Sequence, residues 1–453
     1  MNDKFNMHIK LKAYTTSSEE MTRILDPLDI NIPPAYQIEV FAYGLDAPGS
    51  MIFSRNGDLY VADTGLTSNA PKVLRMVDDH FDIIADNFNA PINGISYMDG
   101  DIYVSHKGRI TVLRENGTRQ DIISGLPCNG DNGLSNVAFG PDGKIYFSIG
   151  TSTNSGVVGN DNAWVFDHPL LHDDMPFDFM VRGQNFITPN MLINNQERVS
   201  TGAFSSYGIQ NSPYEVKKGV MKASGCILRA NRDGTDLEPV AWGFRNPLQM
   251  SFNREYQLFL SNRSYDVRGS RPIANASDEF YQVIPGLWYG WPDYAAGEPV
   301  TLPKFRPEGG VQPEFLLAGH PNVPPMPFAT FPPHSTITGF DFDYTNLYGA
   351  YGDIFITEFG SYGSITQGQS APFVGIGHRI SKIDRINRQI STFINNKSGL
   401  PAFPNDGGGL GRPVDLIFGP DNYMYILDMG INRLISPNRF IPNTGVIWRV
   451  RPV

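Results

Sequence analysis

A short phrase, repeated six times, constrains this chain more than any other feature. It reads apolar–x–apolar, a tight turn, then a run of β-forming residues ending in a small or polar one. The copies run from Ser50 to Asp63, Asn93 to Ser105, Asn136 to Ser148, Gln249 to Ser261, Gly339 to Thr357 and Asp415 to Asp428. Tight-turn chemistry marks the phrase: Gly140-Pro141-Asp142-Gly143 has Pro to fix φ, Asp to cap the turn and Gly to take a positive φ. A strand repeat at a period of about 40 residues specifies an all-β propeller, here with six blades.

A ring of four-stranded blades holds roughly 350–450 residues as one unit, which accommodates this chain of 453. The 46 glycines, 35 prolines and 12% aromatics suit short strands joined by shaped loops. The net charge of −10, with no basic run, argues against nucleic acid as a partner. No run of about 18 apolar residues is present to span a membrane. The first residues, Met1 to Lys12, lack a hydrophobic signal core, so the chain as given reads as cytoplasmic. Two cysteines, Cys128 and Cys226, are too few for a disulfide framework; they could pair with each other, or they are ordinary buried or loop thiols.

Residues 1–35 carry no repeat and read as an N-terminal extension, with a helical turn or two over Ser17 to Leu25. The propeller then occupies 36–453. Tyr36 to Val40 alternates as an outer strand that could close the ring. Repeat starts near 51, 94 and 137 are bare, whereas later gaps hold insertions. The largest, 165–221, is expected between blades three and four. A second, proline-rich excursion runs from Ala295 to Pro333.

Aligning the repeats makes the residues ahead of each first strand equivalent, at one mouth of the central channel. They are Pro48-Gly49, Asn93, Asp131-Asn132 with Asn136, Arg245-Asn246, His334 to Thr338, and Arg412. Such a polar ring either binds a small molecule or anion, or hydrogen-bonds loop backbone and channel water. His106 is expected near the opposite face as a satisfied loop histidine. His168 and His172, with Asp173 and Asp174, are either a metal-binding group or a solvated loop. Asp278-Glu279, near Asp266 and Asn262, offer oxygen ligands for calcium, or they pair with Arg263, Arg268 or Arg271.

Several segments resemble the glucose/sorbosone dehydrogenase family in order and spacing. They are Gly243-Phe244-Arg245-Asn246-Pro247, Ser277-Asp278-Glu279-Phe280, Trp288-Tyr289-Gly290-Trp291-Pro292 and Gly411-Arg412-Pro413-Val414-Asp415. Phe139 to Tyr146 is similar to that family's third blade. The resemblance spans residue 36 to the C-terminus. It implies a six-bladed propeller that binds pyrroloquinoline quinone (PQQ) at the channel mouth with Ca²⁺ beside it. It also implies oxidation of a sugar or aldehyde and a periplasmic or extracellular setting. Arg245 then faces substrate and quinone, and Asn93, Asn246 and Arg412 contact the cofactor. Asn132 stands where the family's catalytic histidine is expected, and an amide is no general base near neutral pH. Asp131 and His334 are the candidates to replace it. The segment Thr357-Glu358-Phe359-Gly360 also lacks a lysine that some members direct at the quinone.

Three functions follow as expectations. One is a PQQ-dependent sugar or aldehyde dehydrogenase-like protein with weak or altered activity. The second is a calcium-dependent lactonase-type hydrolase, drawing on Asn93, Asn132, Asn136, Asn246 and Asp415. The third is a non-catalytic carbohydrate-binding propeller.

Overall fold

Each copy of the phrase forms the two innermost strands of a blade, because its apolar–x–apolar half and its β-forming half pair across the tight turn. The computed structural model describes residues 9–14, 20–193, 197–361, 375–432 and 440–453. Six antiparallel sheets close into a ring. Blade one is Pro48–Phe53, Leu59–Asp63, Lys72–Val77 and His80–Ala85. Blade two is Ile92–Met98, Asp101–His106, Arg109–Leu113 and Arg119–Ile123. Blade three is Ala138–Phe139, Ile145–Ile149, Cys226–Ala230 and Glu238–Trp242. Blade four is Asn246–Phe252, Leu258–Arg263, Asp278–Val283 and Ala329–Phe331. Blade five is Ile337–Asp343, Asp353–Glu358, Arg379–Ile383 and Ile390–Asn396, with the short strand Ile30–Asn31 added at its outer edge. Blade six is Pro413–Phe418, Met424–Asp428 and Gly445–Pro452, completed by Tyr36–Leu45. The N-terminal strand thus locks the ring through its pairing with the C-terminal one, which removes a free sheet edge.

The structure corrects the sequence reading in two places. Residues 20–25 form a strand paired with Ile9–Tyr14, not a helix. Residues 17–19 lie outside the described residues. Arg23 explains why this hairpin docks. It is 0% exposed and pairs with Asp428 at 2.6 Å, so the strand is held against blade six by a buried ion pair. The 165–221 insertion lies inside blade three, between its second and third strands, and not between blades three and four. The 295–333 excursion follows blade four's third strand and contains its last one, Ala329–Phe331. Among the described residues the insertion holds two small two-stranded sheets and a 3-10 turn.

The inner strands expose backbone edges to the channel, and a side chain from each blade satisfies the next. Ser50 Oγ accepts from Ile95 N, and Ser96 Oγ donates to Val137 O. Asn136 accepts from Met250 N at 2.8 Å and donates to Met250 O at 3.0 Å. Gln249 accepts from Phe340 N, Asp341 from Phe418 N, and Asp415 from Met51 N. The belt therefore runs from blade one round to blade one again. Between blades four and five the packing is aromatic: Phe280 meets Phe340 edge-on at 4.8 Å, and Phe259 meets Phe342 edge-on at 5.4 Å. The belt surrounds a channel cavity of ≈ 400 Å³. Cys128 and Cys226 are both free and buried.

Candidate functional site

Asn93, Asn132, Arg245, His334 and Arg412 all stand at the start of an inner strand or in the loop before it, on one face of the ring. The second strand of each blade ends on the same face, because the pairs are antiparallel. His106 therefore lies on this face, opposite Ile92, and not on the far one. Its ring is satisfied on both sides, by Asn89 N at 3.1 Å and Thr111 Oγ1 at 2.7 Å. Burial draws it down to about 4, so it is neutral at ordinary pH.

Asp266 organises the centre of this face. It lies in the loop after Arg263 and is 2% exposed. Its Oδ2 meets Arg245 at 2.8 Å and Arg268 at 3.3 Å, and its Oδ1 meets Arg263 at 2.6 Å. His334 Nδ1 stands 3.7 Å from the same Oδ1, just beyond hydrogen-bond length. Burial alone would raise the Asp266 carboxyl, but Arg263, Arg245 and Arg268 outweigh it and hold the group well below the usual range. Burial also draws Arg245 down to about 10, which leaves it protonated at neutral pH. Its remaining described bond is to Ser264 O at 2.7 Å. His334 and Thr336 both have positive φ, +67° and +50°. Non-glycine residues adopt that conformation at a cost, and such strain collects at functional sites.

Asp131 joins the same network from blade three. Arg268 binds it at 2.6 Å, Trp164 Nε1 donates at 2.9 Å, and Asn162 donates at 3.2 Å. Arg268 also holds Asp161 at 2.5 Å. Asp131 thus clamps the first turn of the insertion to blade four. Asn132 donates to Thr151 O at 2.9 Å, and Thr151 N donates in turn to Arg245 O. Asn93 lies against Gly133, where an added Cβ would stand 2.7 Å from its Nδ2. Asn246 N donates to Asn262 Oδ1 at 3.0 Å. Arg412 sits on the side of blades five and six. It donates to Ser361 O at 2.8 Å, to Phe359 O at 3.4 Å and to Asn432 at 3.1 Å.

Asp278 and Glu279 face N–H donors, which is the opposite of what a cation presents. Asp278 accepts from Ser264 N and Thr336 N. Glu279 accepts from Asn262 Nδ2 at 2.6 Å and Ala296 N at 2.5 Å. Arg263, Arg268 and Arg271 pair instead with Asp131, Asp161, Asp266 and Asp293. Asp173 accepts four bonds from Ser152, Thr153 and Ser224, so it staples the insertion to its base. Among the described residues no three His, Cys, Asp or Glu side chains gather as metal ligands. Sequence reasoning placed Asp266 only as a neighbour of Asp278. Its hub role joins residues far apart in the chain, and no local spacing reveals it.

The face is closed: Asn132, Arg245, Asn246, His334 and Arg412 are each under 9% exposed. Among the described residues it also gathers buried polar atoms with no partner: Asn93 Oδ1, Ser152 Oγ, Arg245 Nε, Ser264 Oγ, Ser335 Oγ and Glu358 Oε2. Such atoms are uncommon in folded proteins and each requires an explanation.

No protein-family model matches the chain, and no curated protein matches it. Solved structures do. The holo PQQ domain of pyranose dehydrogenase from Coprinopsis cinerea is 13% identical, with a TM-score of 0.58, over 93% of this chain and 97% of that one. A glucose dehydrogenase-type oxidoreductase from Thermus thermophilus is 15% identical, with a TM-score of 0.53, over 92% and 100%. The PQQ-bound aldose sugar dehydrogenase from Streptomyces coelicolor is 14% identical, with a TM-score of 0.51, over 93% and 100%. The chain therefore has the six-bladed fold in which PQQ-dependent sugar dehydrogenases are built.

Proposed function

We propose that the chain is a PQQ-dependent sugar or aldehyde dehydrogenase-like protein in which His334 replaces Asn132 as the proton acceptor. One observation carries this reading: His334 and Arg245 share the carboxylate of Asp266. A base, its orienting acid and a cation next to the reacting oxygen are thereby collected in one place.

The donor set fits an oxygen-rich, planar, anionic group. Ser152 and Ser335 have buried hydroxyls on this face without a partner, and the Arg245 guanidinium stays protonated. Arg412, Asn93 and Asn246 would hold the quinone, and when bound it supplies the hydride acceptor. The chain's own residues do the rest. Nδ1 of His334 faces Asp266, so Nε2 is the atom that takes the substrate hydroxyl proton. Asp266 then stabilises the imidazolium, as a buried carboxylate does for a catalytic histidine. Arg245 steadies the developing carbonyl oxygen. Activity is expected to be weak, because the site is buried and because Asn132 supplies no second base.

Titration with PQQ, with dye-linked oxidation of aldoses and aldehydes, tests this. An absorption change on adding quinone is expected, and His334→Gln should lower turnover roughly 10²–10⁴-fold with quinone affinity kept. No spectral change with the wild-type protein overturns the reading. Sugar binding without quinone uptake would favour a non-catalytic carbohydrate-binding propeller.

A further inference from the structure

Arg245 and Ser264 each leave a buried polar atom unpartnered, and both line one small cavity of ≈ 10 Å³. Asn262, Tyr265, Glu279 and Trp291 complete much of its wall. About 10–15 Å³ of such space is what one water needs. The exposed surface of Arg245 is 1% and that of Ser264 is 2%, so bulk solvent reaches neither.

The chemistry selects the occupant. Arg245 Nε carries a proton and can only donate, which excludes a cation there. Glu279 opposite excludes an anion. A water both accepts and donates. It can accept from Arg245 Nε and Ser264 Oγ, and donate to a free lone pair of the Glu279 carboxyl. Ala296 N donates to one Glu279 oxygen and Asn262 Nδ2 to the other, the Tyr281 hydroxyl also lies beside this carboxyl, and with each oxygen able to accept twice one lone pair remains.

We propose that this cavity is a built site for one ordered water, and that Glu279 is the positioning residue that orients Arg245 through it. Glu279 then has two arms. One runs through the water to the Arg245 guanidinium. The other runs through Asn262, whose Oδ1 takes the backbone N–H of Asn246 at 3.0 Å. Together they fix both residues of the Arg245-Asn246 pair. The residue whose sequence context suggests calcium is instead an internal brace. Burial raises its carboxyl in spite of the donors that lower it, as expected where no cation offsets the burial. The positioning role rests on the function proposed for Arg245, whereas the water site does not.

High-resolution crystal structures of the wild type, Ser264→Ala, Glu279→Gln and Glu279→Leu test the proposal, with quinone titration of each. The wild type should show one water within hydrogen-bond distance of Arg245 Nε. Ser264→Ala should lose or weaken it. Glu279→Gln, with one acceptor oxygen facing two N–H donors, should weaken the water and quinone affinity less than Glu279→Leu does. Glu279→Leu should lose the water and weaken quinone binding about tenfold, the size expected for one bond to a charged group. A dry cavity in the wild type overturns the proposal, as does a Glu279→Leu protein with unchanged Arg245 and unchanged affinity. If Glu279→Leu does not fold, Ser264→Ala decides the water site. If the wild type takes up no quinone, the dehydrogenase reading falls, while the density maps still decide the water and the rotamer.

Discussion

Two rings of polar residues surround the channel, and they behave differently. The belt of Ser50, Ser96, Asn136, Gln249, Asp341 and Asp415 lies within the inner strands. The mouth residues Asn93, Asn132, Arg245 and Arg412 stand three or four positions ahead of a belt residue in the same repeat. Each belt side chain bonds the backbone of the next blade, and among the described residues none has an unpartnered buried side-chain atom. At the mouth, by contrast, charges converge on Asp266, and several buried atoms find no partner. The lesson is that polar residues in a repeat protein divide by depth. Those inside the strand close the ring. Those one turn earlier are released from that duty and are free to differ between blades.

The largest test strikes the mouth. Asp266→Ala leaves Arg245, Arg263 and Arg268 without their shared carboxylate. Removing one partner of a buried ion pair typically costs about 3–5 kcal/mol, and denaturant unfolding should show a loss of that size. A loss well under 1 kcal/mol would mean that the arginines reach solvent or other anions. That would dissolve the distinction between the two rings.

The next test strikes the belt. Asn136→Leu strands both Met250 N–H and Met250 C=O, and each buried unsatisfied group costs about 1–3 kcal/mol. Stability should fall while quinone or sugar affinity stays within a few-fold. If affinity collapses instead, belt and mouth are one unit.

Much of this architecture was legible because the repeat carries its own turn chemistry. In the Gly140 to Gly143 turn, Gly143 N donates to Gly140 O, with Gly143 at φ +79°. The Gly419 to Asn422 turn repeats it with Asn422 at φ +64°. The closing strand from Tyr36 was legible from its alternation. The hairpin over 20–25 was not, since a Ser-rich start followed by Glu, Met, Arg and Leu also suits a capped helix. What makes it a strand is its partner at Ile9–Tyr14 and the buried Arg23–Asp428 pair, both contacts at a distance. The mouth divides in the same way. Alignment placed Asn93, Asn132, Arg245, His334 and Arg412 on one face. It could not show that Asp131, Asp161 and Asp266 would neutralise the arginines, because Asp161 and Asp266 come from loops with no counterpart in other blades and Asp131 meets its arginine only across to blade four. Insertion boundaries failed for a related reason: spacing counts residues between inner strands, and does not tell which pair of strands a loop interrupts.

A third test uses pH and concerns the belt. Burial pushes Asp415 up to about 7 and Asp341 up to about 6, against the N–H bonds each accepts. The folded state therefore binds these protons more tightly than the unfolded chain, whose carboxyls titrate near 3.8. Their contribution is intact below about pH 4 and is lost as pH rises through 6 to 7. Asp415→Asn removes one of these titrations. The fall in unfolding free energy between pH 5 and 8 should shrink by on the order of 1–2 kcal/mol. Asp266 works in the opposite sense, since its carboxyl is held low. Its contribution is present above about pH 4 and is lost in stronger acid. Belt and mouth should thus respond to acid in opposite directions, and an unchanged slope in Asp415→Asn would break that contrast.

The smallest expected effect is at Asn132 and sharpens the division within the mouth. Its Nδ2 donates to Thr151 O at 2.9 Å and to Thr151 Oγ1 at 3.2 Å. Its Cβ also lies close to Gly150, where an added carbon would be only 2.5 Å away. An imidazole can keep one of the two bonds through a ring N–H, with its other nitrogen free as a base. A placed base typically contributes about 10²–10⁴-fold, but His334 is proposed to fill that role already. Asn132→His should therefore raise dye-linked aldose oxidation by no more than about tenfold. In the double variant with His334→Gln the same substitution should matter far more, rescuing much of the lost turnover. A gain of several orders of magnitude in the single variant would show that His334 is idle and that Asn132 alone keeps the wild-type protein slow. No rescue in the double variant would place the proton acceptor elsewhere on this face.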